Sequence, residues 1–155
     1  MRPLAAILCA ALIAIAGSAS VACDLPSNAA ALMADAGRAV NTERENGGVK
    51  ALRRDARLDR AAQRHACWMS SSQRFSHEGA GRSQPFDRIA SAGYTARLSS
   101  ENIAHGQGSA AEVVKDWMTS GGHRSNIMRA DAVDYGVGVA LLRSRPVWVM
   151  LYAAQ

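Results

Sequence analysis

Aromatic residues are scarce in this sequence and make up 5% of its 155 residues. None is interleaved with the arginines of the stretch 53–64, so that stretch lacks the stacking platforms that single-stranded nucleic acids need. The formal net charge of +5 therefore does not predict a nucleic-acid-binding protein. Arg53, Arg57, Arg60 and Arg64 follow the spacing of one helix face. We interpret this as a solvated face, and attraction to an anionic envelope surface is the alternative.

The sequence also lacks an apolar run long enough to anchor it in a bilayer. Its most apolar stretch, residues 4–16, is shorter than the ~20 residues of a membrane-spanning helix. With a basic N-terminus before it and the small residues Ser20 and Ala22 after it, the stretch has the layout of an export signal. We expect residues 1–22 to be removed and the mature protein, without a membrane span, to reach the periplasm or the medium. Acylation of Cys23 is the less favoured alternative, because lipoprotein signals usually have leucine where Ser20 stands.

Cysteine is the third scarce residue, with three copies. Cys9 lies within the predicted signal, which leaves Cys23 and Cys67 as an even pair in an oxidising compartment. We expect these two to form a disulfide bond, and two free thiols are the alternative. Residues 23–155 suffice for one hydrophobic core and are too few for two domains of ordinary size, so we expect a single domain. We also expect the protein to be a monomer.

Apolar residues at helical spacing, bounded by capping residues, proline or glycine, predict four helices. They cover residues 29–44, 58–71 and 85–92, and about three turns from a capping box at 109–112 to the glycines at 121 and 122. In the third helix, Phe86 and Ile89 are expected to face the core. The last helix gives Glu112 a capping role, and His123 should emerge directly after its glycines.

The remaining pattern is typical of a small sheet. Residues 97–108 form an extended segment, and the strands 135–142 and 147–152 form a hairpin around a turn at 143–146. Gly136 and Gly138 leave one face of the first hairpin strand without side chains, which suits the close approach of another element. Helices that pack on a small antiparallel sheet predict an α+β fold.

Common hydrolase motifs are missing as well. Ser76, Ser120 and Ser125 are near histidines in the sequence, but no Gly-x-Ser-x-Gly elbow is present. Glu78 follows His77, but no second histidine comes one helical turn later, so the zinc-protease motif His-Glu-x-x-His is absent. Cys67 lies in the middle of a predicted helix and is not expected to be a nucleophile.

Two of the four histidines are candidates for chemistry because of their surroundings. His77 and His123 lie beside glycine and serine, in segments where a side chain can point into a cleft. His65 falls on or beside the apolar stripe of the second helix and is interpreted as a packed or partly exposed helix residue, not as a ligand. His105 could share a face with Glu101 in an extended segment, but we interpret it as a surface residue.

Several short blocks, in the same order, resemble the CAP superfamily of cysteine-rich secretory, antigen 5 and pathogenesis-related proteins, in its bacterial secreted form with an SCP domain. Each block is weak alone, but together they extend over most of the expected mature chain. The blocks are Asn-Thr-Glu-Arg at 41–44, residues 58–66, Phe-Ser-His at 75–77, Arg-Ile-Ala-Ser-Ala-Gly-Tyr at 88–94, Glu-Asn-Ile-Ala at 101–104, residues 117–127 and Gly-Val-Gly at 136–138.

The resemblance implies an α-β-α sandwich with a small central antiparallel sheet flanked by helices. In this family two histidines and one or two glutamates converge on a cavity, and these map to His77, His123 and Glu101. The family's second glutamate maps to Ser120, which cannot serve as a carboxylate base or an anionic ligand. That departure argues against a mechanism that needs four such residues.

The resemblance further implies an exported binding or interaction module with a His/Glu cleft and a divalent metal, lipid, peptide or envelope component as ligand. His77 and His123 are suitable zinc ligands, but a catalytic zinc site normally has three protein ligands. We therefore expect no required cofactor and at most weak Zn²⁺ binding. The alternative is a metal-assisted hydrolase of peptide or cell-envelope substrates with Glu101 as general base. A third option is an envelope-associated structural protein in which the three residues satisfy a buried polar network.

Overall fold

A computed structural model describes residues 23–155 of the chain. The predicted export signal, residues 1–22, lies outside the described residues. The helices are α1 (Ala29–Asn46), α2 (Ala56–Ser72), α3 (Pro85–Ser91), α4 (Ala110–Thr119) and α5 (Gly121–Ile127). The strands are β1 (Arg53–Arg54), β2 (Leu98–His105), β3 (Asp134–Leu142) and β4 (Arg145–Ala154).

The four strands form one mixed sheet in the order β1-β3-β4-β2. β3 and β4 form the predicted hairpin, and β2 pairs antiparallel with β4 from Leu98 opposite Ala154 to His105 opposite Val147. The sequence did not predict β1, a two-residue strand that runs parallel to β3 at the edge of the sheet. The predicted antiparallel sheet is therefore confirmed for three strands and extended by one short parallel strand.

Both faces of β4 are covered, which makes the domain a three-layer sandwich. Trp148, Met150 and Tyr152 belong to a core shared with α1 and α4 on one face of the sheet. Val149 and Leu151 belong to a second core shared with α2 and α3 on the other face. Because strand residues alternate between faces, a strand segment covered on both sides is expected to be apolar throughout, and β4 is apolar and buried from Val147 to Ala154.

The glycines of β3 allow α2 to pack closely on the sheet, as predicted. An ideal Cβ on Gly136 would lie 2.1 Å from the carbonyl carbon of Leu58, and one on Gly138 would lie 2.4 Å from the carbonyl carbon of Ala62. Helix and strand backbones are thus in contact, with no room for a side chain between them.

The helix caps follow the sequence signals only in part. The Ser109 hydroxyl accepts a hydrogen bond from the backbone N–H of Glu112, and the Glu112 carboxylate accepts one from the N–H of Gly108. The predicted capping role of Glu112 is therefore confirmed. Asp55, which the sequence analysis did not single out, caps α2 by accepting from the N–H of Arg57.

Three expectations about single residues were wrong. Phe86 is half exposed and does not face the core, whereas Ile89 is fully buried as predicted. Arg53 lies in β1 and not on α2, so the four arginines do not share one helix face. His123 does not leave the chain in a loop after the glycines, because those glycines begin α5 and His123 lies within it.

The proposed basic face is neutralised in part. Ion pairs join Arg53 to Asp134, Arg54 to Asp59 and Arg57 to the capping residue of α2. Each carboxylate neutralises a guanidinium locally, but neither Arg60 nor Arg64 has an ion-pair partner within residues 23–155, so only the N-terminal end of α2 is neutralised.

Cys23 and Cys67 form a disulfide bond, with their Cα atoms 5.2 Å apart. The bond attaches the start of the described chain to the middle of α2, as expected from the sequence. The next residue, Asp24, accepts a backbone hydrogen bond from Leu141 of β3. None of the helices formed by residues 23–155 is long and apolar enough to cross a bilayer.

Candidate functional site

The candidate site is built around one contact between His77 and Glu101. His77 lies in the loop that follows α2, and Glu101 lies in β2. His77 Nδ1 is 2.8 Å from Glu101 Oε1. The Glu101 side chain is only 1% exposed, whereas that of His77 is 52% exposed. The carboxylate is therefore inside the protein, and the imidazole presents its other edge to solvent.

Arg88, in α3, holds the other carboxylate oxygen of Glu101. Its Nη2 donates to Glu101 Oε2 over 2.6 Å, and its Nη1 donates to the carbonyl oxygen of Ser83 over 2.7 Å. An ionised carboxylate is tolerated in a protein interior when it is paired and hydrogen-bonded. The pair explains how Glu101 can be buried.

The hydrogen bond to Glu101 determines the tautomer of the neutral His77 imidazole. A carboxylate can only accept a hydrogen bond, so His77 Nδ1 carries the proton that it shares with Glu101. In the neutral ring, Nε2 then keeps its lone pair. His77 is thus oriented with an acceptor nitrogen toward solvent.

His123 lies in α5, whose backbone is attached to the strand that carries Glu101. Its backbone carbonyl accepts a hydrogen bond of 3.1 Å from Asn102, the neighbour of Glu101 in β2. Asn126, one turn further along α5, donates to the carbonyl oxygen of Glu101 and to the side-chain oxygen of Asn102. These bonds attach α5 to the strand that carries Glu101.

Burial lowers the pKa of His123 below its usual value, and the positive charge of a protonated His77 lowers it further. Like charges disfavour each other, so protonation of His77 opposes protonation of His123. His123 is therefore neutral at pH 7. Its ring, like that of His77, has a nitrogen lone pair available.

Ser120 forms the joint between the two helices at the site. It is the C-terminal cap of α4 and the N-terminal cap of α5, with a backbone in the extended region. The resemblance places the family's second glutamate at this residue, which has a hydroxyl in place of a carboxylate. No group of three or more His, Cys, Asp or Glu side chains within residues 23–155 has the geometry to hold a metal ion.

The other two histidines have structural contacts. His65 is fully buried in α2, as predicted, and its Nε2 lies 2.8 Å from the carbonyl oxygen of Ser76. It thereby steadies the loop that carries His77. His105 was expected on the surface of a loop, but it ends β2, is half-buried and bonds to the carbonyl oxygen of Leu142 over 2.8 Å.

Sequence reasoning missed Arg88 and Asn102 as parts of this site. Both occur in blocks that resemble the family, Arg88 at the start of Arg-Ile-Ala-Ser-Ala-Gly-Tyr and Asn102 directly after Glu101. A buried arginine next to a buried glutamate is a contact between distant segments, and no local pattern reveals it. The blocks themselves were the only available signal.

The model of the cysteine-rich secretory protein family, CAP, matches residues 38–152. The chain belongs to this family. The YkwD protein of Bacillus subtilis (strain 168), itself uncharacterised, is 34% identical over 127 residues, which cover 82% of this chain and 49% of that protein. The chain thus spans about half the length of this curated relative.

Solved structures show the same fold at lower identity. An extracellular protein containing an SCP domain from Bacillus anthracis has a TM-score of 0.74 and 21% identity, over 82% of this chain and 41% of that one. An outer surface protein from Borrelia burgdorferi has a TM-score of 0.71 and 19% identity, over 77% of this chain and 89% of that one. The predicted α-β-α sandwich of the CAP family is confirmed.

Proposed function

We propose that this CAP protein is an exported binding module whose His77 and His123 imidazoles bind a divalent cation such as Zn²⁺ weakly and exchangeably. The observation that supports this most directly is the 2.8 Å contact between His77 Nδ1 and Glu101 Oε1. Histidines that bind metals commonly donate their second ring N–H to a carboxylate, which fixes the tautomer and the ring orientation. Here that arrangement leaves His77 Nε2 free on a side chain that is 52% exposed.

The number of available ligands supports weak binding. His123 supplies a second neutral imidazole, since burial and the charge of His77 lower its pKa. Structural zinc sites have four protein ligands and catalytic sites usually three. Two imidazoles, with water completing the coordination, predict an ion that exchanges readily with solvent.

The position of Glu101 favours binding over hydrolysis. Each of its carboxylate oxygens already accepts a hydrogen bond, one from His77 and one from Arg88. With its side chain 1% exposed, the carboxylate is poorly placed to reach a substrate or an attacking water. Ser120 adds no carboxylate. Glu101 is therefore better suited to orient His77 than to act as a general base.

Export is supported by two observations. A disulfide bond between Cys23 and Cys67 is typical of proteins in oxidising compartments outside the cytoplasm. The related SCP protein of B. anthracis is described as extracellular, and the similar B. burgdorferi protein as an outer surface protein. We therefore assign this chain to the cell surface, periplasm or medium.

Calorimetric titration of the purified protein with ZnCl₂ tests the binding proposal. We expect saturable heat that disappears in a His77→Ala, His123→Ala double variant. Glu101→Gln should weaken binding by about 10–100-fold, the usual effect of removing a carboxylate that orients a metal-binding histidine. Because this change also leaves Arg88 without its charged partner, a circular dichroism melt of the variant must first show that it is folded at the titration temperature. His105→Ala, at the end of the same strand, is the matched control and should bind like the wild type. Equal heat in the double variant would refute the metal site.

A second measurement separates binding from catalysis. Incubation with cell-wall peptides and zinc should yield no chelator-sensitive product. Turnover that a chelator stops and that Glu101→Gln abolishes would establish the hydrolase in place of the binding module.

A further inference from the structure

One edge of β3 has no neighbouring strand over most of its length. β1 covers this edge only as far as Tyr135, which pairs with Arg54. Within residues 23–155 no strand continues the sheet on that side, because β1 is the last strand in the order β1-β3-β4-β2. We call residues 136–142 on this side the open edge of β3. An uncovered strand edge presents backbone N–H and C=O groups with which another chain can pair.

Side chains of α2 take the place of the missing strand. Asp59 Oδ1 accepts a hydrogen bond from the backbone N–H of Val137 over 2.9 Å. Gln63, one turn later, bonds to both backbone groups of Val139. Its Oε1 accepts from the N–H over 3.2 Å, and its Nε2 donates to the carbonyl oxygen over 2.9 Å. A side-chain amide contains the same donor and acceptor as a peptide group, so Gln63 imitates a residue of a neighbouring strand.

Two other groups cover the far end of the open edge. The Ser70 hydroxyl, also on α2, donates to the carbonyl oxygen of Leu141, and the N–H of Leu141 donates to the carbonyl oxygen of Asp24 over 2.7 Å. The disulfide bond of Cys23 holds Asp24 in this position. Alternate residues of an antiparallel strand direct their backbone groups to the same side. The cover follows this alternation along the whole open edge.

The close packing of α2 on β3 makes the cover possible. Gly136 and Gly138 allow the helix backbone to contact the strand backbone. From that short distance the side chains of Asp59 and Gln63 reach around to the strand edge. A helix held away by side chains at the two glycine positions would not place them within hydrogen-bond distance.

The open edge has no protection of its own against association. Natural edge strands commonly carry charged residues or proline, which prevent pairing with another chain. Residues 136–142 read Gly-Val-Gly-Val-Ala-Leu-Leu and contain neither. Two copies of such an edge are complementary to each other, because antiparallel pairing about a two-fold axis joins N–H to C=O in both directions. A second copy of this chain is therefore a suitable partner for an uncovered edge.

We infer that the side chains of Asp59, Gln63 and Ser70 form an inhibitory cover that prevents the open edge of β3 from pairing with the same edge of a second copy of this chain. Gln63 is the central member, since it bonds to both backbone groups of Val139. The cover uses none of the residues of the proposed cation site. The inference therefore goes beyond that proposal and can fail without it.

Gln63→Ala tests the inference by uncovering Val139. In sedimentation velocity, we expect the wild type to remain a monomer and Gln63→Ala to form a dimer whose fraction rises with protein concentration. Gln63→Glu should remain a monomer, because its carboxylate can still accept from Val139 and two such charges would repel each other across paired edges. Arg64→Ala, the same change at the next and exposed position of α2, is the matched control and should also remain a monomer. A chelator in every sample prevents a metal bridge between histidines from imitating the dimer.

Hydrogen exchange identifies the surface that pairs. In the wild type, the backbone N–H groups of Val137, Val139 and Leu141 should be protected although no strand of residues 23–155 lies beside them. In dilute Gln63→Ala the N–H of Val139 should exchange about tenfold faster, the effect of losing one hydrogen bond. Its protection should return at the concentrations at which the dimer forms.

The inference is overturned if Gln63→Ala remains a monomer while the N–H of Val139 exchanges rapidly, or if the dimer forms without protecting that group. Equal association of Arg64→Ala or Gln63→Glu would overturn it as well. If Gln63→Ala does not fold, Gln63→Met replaces it and the same outcomes apply, because methionine retains the length of the side chain but cannot bond to both backbone groups. Rapid exchange of Val137 and Val139 in the wild type would show that α2 does not cover the edge.

Discussion

The contact between α2 and β3 leaves no room for one additional methyl group, and Gly138→Ala should therefore destabilise the protein strongly. An ideal Cβ at this position would lie 2.4 Å from the backbone of Ala62. Carbon atoms in favourable contact are about 3.5–4.0 Å apart, so helix and strand would have to separate by more than about 1 Å. Because the opposing atoms belong to the helix backbone, no change of side-chain rotamer can relieve the overlap.

The expected cost lies at the upper end of the range for overpacked cores, about 3 kcal/mol. For a domain of this size, 1 kcal/mol shifts the melting temperature by roughly 3–5 °C, so Gly138→Ala should lower Tm by roughly 9–15 °C. Gly138 does not have a positive φ, so backbone strain contributes nothing to this figure. Thermal unfolding followed by far-ultraviolet circular dichroism, without reductant, measures it directly.

Gly121→Ala is the matched control for this prediction. A Cβ at Gly121, the first residue of α5, would have nothing within 4 Å. The same substitution should therefore stabilise the protein by about 0.4–1 kcal/mol, because it restricts the unfolded chain. If Gly138→Ala melts within about 2 °C of the wild type, or if the two variants lose the same stability, the steric reasoning is wrong.

Two further predictions concern stability. Replacing Cys23 and Cys67 by serine should cost about 4 kcal/mol of unfolding free energy in urea, the loop-entropy value for residues 44 positions apart; an unchanged urea midpoint would contradict this. Burial lowers the pKa of His65 below its ordinary value of 6.5, so the unfolded state binds the extra proton. Stability should be complete above about pH 6.5 and fall as the pH drops below it, by up to about 1.4 kcal/mol per pH unit. His65→Gln should flatten this dependence between pH 6.5 and 5, and an identical slope in that variant would exclude His65 as its source.

The secondary structure that local signals specify was predicted well. Proline at the start of α3 and Gly93 after its end bound that helix, and the structure places it at Pro85–Ser91. The hairpin of β3 and β4 was predicted because both strands are rich in β-formers, and only its turn is shorter than expected, with Arg143 and Ser144 between the strands. These features depend on neighbouring residues, which sequence patterns report directly.

Features that depend on distant contacts were missed. β1 contains two residues and exists because Arg53 and Arg54 pair with Asp134 and Tyr135. The glycines at 121 and 122 do mark the end of α4, but the extended backbone of Ser120 lets a new helix begin at once. A glycine pair after a helix is the same local signal whether the chain then enters a loop or another helix.

The candidate site likewise combines residues that sequence blocks identify with contacts between distant segments that the sequence does not predict. His77, Glu101 and His123 could be named because their blocks resemble the family, and the structure joins the first two directly. The resemblance did not identify Arg88 as the residue whose guanidinium pairs with Glu101. Which cation neutralises a buried carboxylate depends on how α3 packs against β2, and the sequence around each residue does not specify it.

The pairing of Glu101 with Arg88 also determines which variants can test function cleanly. Both side chains are almost completely buried, and removing one member of a buried ion pair typically costs about 3–5 kcal/mol because the other charge stays unpaired. Loss of binding in an Arg88 variant would therefore not distinguish a damaged site from a damaged fold. The His77 side chain is 52% exposed and contacts the pair from outside, so its replacement leaves Glu101 with its main partner. Variants of His77 therefore test the function of this site, whereas variants of Arg88 test the stability of the fold that supports the site.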